Sequence, residues 1–138
     1  EAPLKAMETE AIVAQHNARH PETRVELRGV AGSPGAAFVL RLFGDLDMKR
    51  STDLGPVLEA VLAACPRGSS LYLDLAGVSY ISSTGIGLVT VLLPRGQERD
   101  VTLTLVRVPP KMSVILNTLG LLSFFHVEAD APETEGEP

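Results

Sequence analysis

Three consecutive hydroxyl side chains, Ser82, Ser83 and Thr84, followed by Gly85-Ile86-Gly87, are the residues in this chain best placed to do chemistry. The apolar run Leu71-Tyr72-Leu73-Asp74-Leu75 leads into them, and the apolar segment from Ile86 to Leu93 leads away. They therefore lie where a strand gives way to the first turn of a helix. That position offers free backbone N–H groups and the positive end of the helix dipole. A phosphate esterified to such a hydroxyl is held locally and changes the surface charge by nearly two units. The simpler role is capping, in which Ser82 or Ser83 accepts a bond from an exposed N–H and contributes about 1 kcal/mol. The two roles are compatible, because one hydroxyl can cap while its neighbour stays exposed. Ser83 is the leading acceptor, with Thr84 and Ser82 as alternatives.

Other candidate chemistry is thinner. Asp45 and Asp47 stand two residues apart, as paired carboxylates for acid–base work would, but no histidine or second polar cluster accompanies them. A turn with solvated carboxylates is the simpler reading. Gly85-x-Gly87 alone does not make a nucleotide loop, and no Walker sequence is present. Ser83 and His126 lack a third member and an oxyanion hole, so no catalytic residue is assigned. His16 and His20, at i and i+4, are expected to be solvent-facing polar residues, and no metal ligands or cofactor are assigned. Cys65 reads as a small packed residue at a helix end, Met112 as core, and Tyr80 as either core or contact.

The elements that position the hydroxyls follow from periodicity. Residues 4–18 read as a helix with a thin apolar stripe of Leu4, Met7, Ala11, Ile12 and Ala14, ended by His20-Pro21. Val25–Val30 and Phe38–Phe43 read as strands joined through the turn Gly32-Ser33-Pro34-Gly35, giving a hairpin over 25–43. Ser51 or Thr52 is expected to cap the next helix, with Pro56 in its first turn. Leu54, Val57, Leu58, Val61 and Leu62 supply its stripe. The helix beginning near Gly85 is expected to stop or kink at Pro94 and Gly96. Val101–Val108 is a further strand, and Met112, Ile115, Leu116 and Leu119 mark a helix with Gly120 as its C′ residue. Phe124–Val127 could form a short last strand.

The order β-β-α-β-α-β-α-β implies an α/β fold. Its sheet is mainly parallel, of about four to five strands, with an antiparallel strand from the N-terminal hairpin and helices packed on it. An extra N-terminal helix precedes it. The domain organisation expected is a helix and linker over residues 1–24, the α/β domain over 25–130, and a disordered acidic tail over 131–138.

Composition limits the partners. The 138 residues are 45% hydrophobic, enough for one domain with a core. Net charge is −5, which favours neither nucleic acid nor anionic membranes. Glu128, Asp130, Glu133, Glu135 and Glu137 crowd the last eleven residues, so the remainder is nearly neutral. A single cysteine excludes an internal disulfide and fits a reducing compartment. No apolar run approaches the roughly 20 residues that span a bilayer, so direct membrane insertion is not expected. The chain opens on Glu1 and carries no signal-peptide pattern, as a processed or excised piece would; a cytoplasmic location is the expectation.

Gly44-Asp45-Leu46-Asp47, then a helix, then Leu-x-Leu-Asp-Leu-x-x-Val-x-Tyr-Ile-Ser-Ser-Thr-Gly-Ile-Gly resembles the STAS domain of bacterial anti-sigma-factor antagonists. That family usually shows Gly-Glu-Leu-Asp, a Leu-Asp-Leu strand and Ile-Asp-Ser-Ser-Gly-Leu-Gly. A later Ser-Gly-Leu-like tripeptide is matched by Leu119-Gly120-Leu121. The resemblance covers about residues 25–128. It implies a non-catalytic binding module that engages a kinase-type anti-sigma factor when unphosphorylated. The kinase phosphorylates a serine and lets go, and a phosphatase reverses this. The family's phosphoserine falls on Ser83, its second hydroxyl on Thr84 and its glycine on Gly85. Its aspartate falls on Ser82, which removes a negative charge beside the acceptor. The partner contact implied runs over Asp45, Asp47, Ser82, Ser83, Thr84, Gly85 and Ile86. The alternative is a constitutive STAS scaffold or adaptor in a sensory or transport assembly, without phosphoswitching. A small-ligand binder is a third class, and neither a ligand nor the oligomeric state is fixed.

Overall fold

A computed structural model of the chain describes residues 6–33 and 35–135. Its elements run α1 (Ala6–Arg19), β1 (Val25–Gly29), β2 (Ala37–Leu46), α2 (Met48–Ala64), β3 (Ser70–Ile81), α3 (Ser83–Glu98), β4 (Thr102–Val106), α4 (Pro110–Thr118) and β5 (His126–Glu128). Single 3-10 turns lie at Pro21–Thr23 and Leu122–Phe124. Leu4, expected in the first helix, lies outside the described residues. The five strands form one sheet in the order β1-β2-β3-β4-β5. The β1–β2 hairpin is antiparallel, and every later pairing is parallel.

Alternation along the strands sends one set of side chains to each face. Val25, Leu40, Leu42, Leu71, Leu73, Leu75, Leu103 and Leu105 join a single core cluster with Leu54, Val57, Leu58, Val61 and Leu62 of α2. Ile86, Val89 and Leu92 of α3 and Met112 and Leu116 of α4 complete it. The helices therefore pack on that face. The opposite face carries Arg28, Arg41, Tyr72, Asp74, Thr104 and Val106, in register across the strands. There the Asp74 carboxylate, 2% exposed, meets Arg41 Nε at 3.4 Å and Arg107, and accepts Ala76 N–H at 3.1 Å.

Several elements differ from the sequence reading. Helix α2 starts at Met48, because Asp47 rather than Ser51 or Thr52 caps it, its Oδ1 accepting Arg50 N–H at 2.8 Å. Ser51 is instead buried within the helix, and Pro56 falls in the middle of it. Helix α3 runs through Pro94 to Glu98. Pro94 is exposed, so the carbonyl it deprives of a partner can turn to water, while Leu92 stays anchored in the core. Gly96 lets the Val101 carbonyl approach to 3.0 Å of where a Cβ would stand.

Helix α4 closes on Leu119-Gly120-Leu121 as expected. Gly120 has φ +72°, Gly120 N–H bonds Asn117 O at 3.0 Å and Leu121 N–H bonds Leu116 O at 2.8 Å, a Schellman arrangement. His16 does not face solvent: it is buried, and its Nε2–H donates to Thr23 O at 2.8 Å, fixing α1 to the turn before β1.

The acidic segment also departs from expectation. Residues 133–135 pair with the end of the hairpin instead of lying free. Ala31 N–H bonds Glu133 O at 2.8 Å, Glu135 N–H bonds Gly29 O at 2.9 Å, and Thr134 is buried opposite Val30. The outer edge of β1 offers unpaired backbone groups, and this segment takes them.

Candidate functional site

The site is built from the C-terminal ends of β2 and β3. These parallel neighbours stay paired to their last residues, with register shifts between Arg41 and Phe43 and between Gly44 and Asp45 that bring Asp45 opposite Tyr80 and Leu46 opposite Ile81. Each then turns into a helix. The two helix N-termini are thereby set side by side, α2 behind Asp47 and α3 behind Ser82.

Ser82 is fully engaged. Its N–H and its Oγ–H both donate to Leu46 O, at 2.9 and 2.8 Å, and its Oγ accepts Gly85 N–H at 3.1 Å. This hydroxyl ties the end of β3 to that of β2 and caps α3, and using it as an acceptor would break both bonds. Ser83 and Thr84, the first two residues of α3, are exposed. Gly85 is buried: a Cβ there would stand 2.6 Å from Ile81 Cγ1, 3.0 Å from Ser51 Oγ and 3.1 Å from Leu46 O. Only glycine allows α3 to start this close to α2. The spacing of the triplet thus assigns one hydroxyl inward and two outward.

The carboxylates divide in the same way. Asp47 caps α2 and pairs with Arg50 at 3.3 Å. Asp45 is exposed and accepts Ser79 Oγ–H at 2.5 Å. They serve two separate contacts and do not converge on a shared proton. Ser83 and His126 are also far apart. His126 lies level with Tyr72 through Thr104, nine residues before Ile81 along β3, or about 30 Å. Among the described residues no group of three or more His, Cys, Asp or Glu is arranged to hold a metal. Burial pushes the Cys65 thiol up to about 11, against a smaller opposite pull from Ser69, so it is a packed residue and a poor nucleophile.

Periodicity misassigned one part of this site. Met112 and Leu116 of α4 are core, but Ile115 and Leu119, expected on the same stripe, are exposed. They line a groove of about 440 Å³ with Ile81, Ser83, Ile86 and Val91. Tyr80, 57% exposed, sits on a smaller hollow beside it that shares Ile81 and Ile115. The exposed hydroxyl of Ser83 thus stands at the rim of an apolar surface. An apolar stripe wider than the core can accommodate was the only sequence signal for it.

A family model described as Mlab, STAS domain, matches residues 30–124. No curated protein sequence gives a significant match to the chain. Among solved structures, the anti-sigma factor antagonist SpoIIAA in its unphosphorylated form is 18% identical, with a TM-score of 0.57, covering 78% of this chain and 89% of its own. The Bacillus cell fate determinant SpoIIAA in its phosphorylated form gives 18% identity and a TM-score of 0.56 over 78% of this chain and 92% of its own. The murine Slc26a9 anion transporter gives 15% identity and a TM-score of 0.62; the match covers 91% of this chain but only 23% of the transporter. At such identities the shared property is the fold. With the family match spanning more than half of its residues, the chain belongs to the STAS domain family.

Proposed function

We propose that this chain is a regulatory protein-binding module of the anti-sigma-factor-antagonist type, switched by reversible phosphorylation of Ser83. The observation that carries the reading is the division of labour at the start of α3. Ser82 is consumed by Leu46 O and Gly85 N–H, while Ser83 is exposed on a helix N-terminus at the rim of an apolar groove. The partner is a serine kinase of the anti-sigma-factor class, and a cognate phosphatase resets the site. Contact runs over Asp45, Asp47 and Ser82–Ile86, joined by Tyr80, Ile115 and Leu119.

The switch needs no refolding. A dianion on Ser83 is stabilised in the free domain by the N-terminus of α3. At an apolar interface the same charge must be desolvated, and a loss of about 4 kcal/mol weakens binding roughly a thousandfold. Mass spectrometry after incubation with candidate anti-sigma kinases and ATP tests this. The result expected is one phosphate on Ser83, absent in Ser83→Ala. Phosphate found only on Thr84 would overturn the assignment.

A second reading keeps the binding surface and drops the switch. Ser82 stands where antagonists carry aspartate, and a similar fold occurs within an anion transporter. In that case the domain is a constitutive adaptor in a larger assembly. A kinase-class partner that co-purifies but transfers no phosphate would select it.

A further inference from the structure

The two margins of the sheet are finished differently. At the β1 margin, Arg24 O and Val30 N–H bond inward to β2, so Val25, Gly29 and Ala31 direct backbone groups outward. The Asn17 amide holds both groups of Val25, at 2.8 and 2.9 Å. Gly29 O accepts Glu135 N–H, and Ala31 N–H donates to Glu133 O. That edge is occupied from both ends.

The β5 margin is bare. Among the described residues β4 is its only strand neighbour. Arg107 N–H bonds Glu128 O, so His126 and Glu128 turn their backbone groups toward β4. Val127 between them therefore sends its N–H and C=O outward, and among the described residues no hydrogen bond meets either. After Glu128 the chain bends and heads for Thr134 at the far margin, so it does not fold back along this edge. The side chains agree. Val127 shares a face with its ladder partner Leu105, yet Leu105 is 0% exposed and Val127 44%. Apolar surface lies open where the backbone lies open.

The residues of this edge are complementary to themselves. When two copies of β5 run antiparallel about a two-fold axis beside Val127, each Val127 N–H donates to the Val127 C=O of the other copy. The flanking positions then form close pairs without backbone bonds between them, and His126 of each copy lies opposite Glu128 of the other. Both side chains are exposed and on one face. An edge defended against its own copy carries like charges, which would collide in this arrangement. Here an imidazole meets a carboxylate.

We propose that the outer edge of β5 is a self-association site, at which a second copy of this chain adds its own β5 antiparallel and extends the sheet across both molecules. The contact is short, so the association is weak and concentration-dependent. Strand direction reverses at the junction, so the two Ser83 grooves lie at opposite ends of the joined sheet and both stay open to partners.

Sedimentation of the full chain up to about 1 mM tests this. A monomer–dimer equilibrium is expected, and a monomer throughout overturns the site. Val127→Pro removes the outward N–H while sparing the β4 ladder, and is expected to weaken the dimer about tenfold or more. Unchanged dimerisation by that variant would place the interface elsewhere and overturn the proposal. If that variant fails to fold, the exposed pair decides. His126→Glu and Glu128→Lys shift the net charge in opposite directions, yet each is expected to weaken the dimer about tenfold by opposing like charges. Combining them restores opposite pairing, and the double variant is expected to dimerise within about threefold of wild type. Single variants without effect, or a double variant no better than the weaker single, would overturn the antiparallel register.

Discussion

Helices α2 and α3 begin side by side, on the ends of adjacent parallel strands, yet their N-termini are finished with opposite chemistry. Asp47 puts a carboxylate on the first, backed by Arg50. Ser82 puts a neutral hydroxyl on the second, and no acidic residue follows in its first turn. The two caps satisfy the same kind of backbone donor. They differ in what they leave for an incoming anion. The α2 dipole is already matched by a resident charge, whereas α3 presents its positive end to Ser83 and Thr84. A phosphate is therefore accommodated at one terminus and opposed at the other, although the backbones are alike.

Placing charge at position 83 strains this comparison most. Ser83→Asp is expected to weaken partner binding about a hundredfold, roughly 2.7 kcal/mol, by calorimetry. The same substitution should raise the stability of the free domain by about 0.5 kcal/mol through the α3 dipole. Falling affinity with rising Tm would separate a charge switch from simple damage, and a parallel fall in both would break the argument.

Next in size is the closeness of the two termini. Gly85→Ala would force a Cβ against Ile81, Ser51 and Leu46, and should cost about 2 kcal/mol in urea unfolding. Gly87→Ala, one half-turn on, meets nothing within 4 Å and should be neutral or stabilise by up to about 1 kcal/mol. Equal effects at the two glycines would mean that α3 is not pressed against α2.

The caps themselves come third. Asp47→Ala and Ser82→Ala should each destabilise by about 1 kcal/mol. The loss at Asp47 should shrink in 1 M salt, because a charge–dipole contribution is screened, while that at Ser82 should not. Identical salt dependence would erase the distinction between a charged and a neutral terminus. Ser83→Ala should change stability by less than about 0.5 kcal/mol, as befits an exposed hydroxyl that is not the cap.

The smallest effect concerns Cys65. Its pKa is raised to about 11 by burial, so the folded thiol keeps its proton more tightly than the unfolded one. Its contribution to stability is complete below about pH 9 and is lost as pH rises toward 11. Ellman's reagent at pH 8 should accordingly react slowly with the native protein and fully once it is unfolded.

Much of this arrangement was legible in the residues. The alternation of Leu71, Leu73 and Leu75, and the spacing of Leu54, Val57, Leu58, Val61 and Leu62, report strand and helix directly, because burial repeats with backbone period. Gly120 marked the end of α4 because a positive φ favours glycine. The caps were harder. Asp47, Ser51 and Thr52 are all acceptable N-caps, and which one acts depends on where β2 ends. Pro94 reads as a stop in isolation, and anchoring of the flanking apolar residues carried the helix past it.

What the sequence determined by itself was the order of elements, the core stripes, and a hydroxyl triplet between a strand and a helix. These are local properties, set by periodicity and backbone preference. Only the tertiary structure decided which hydroxyl faces inward. That choice belongs to Leu46, thirty-six residues away, whose carbonyl captures Ser82. It also turned Ile115 and Leu119 outward and brought residues 133–135 to the edge of β1. Each depends on a partner distant along the chain, and residue spacing carries no record of which strand edge or carbonyl will come within reach.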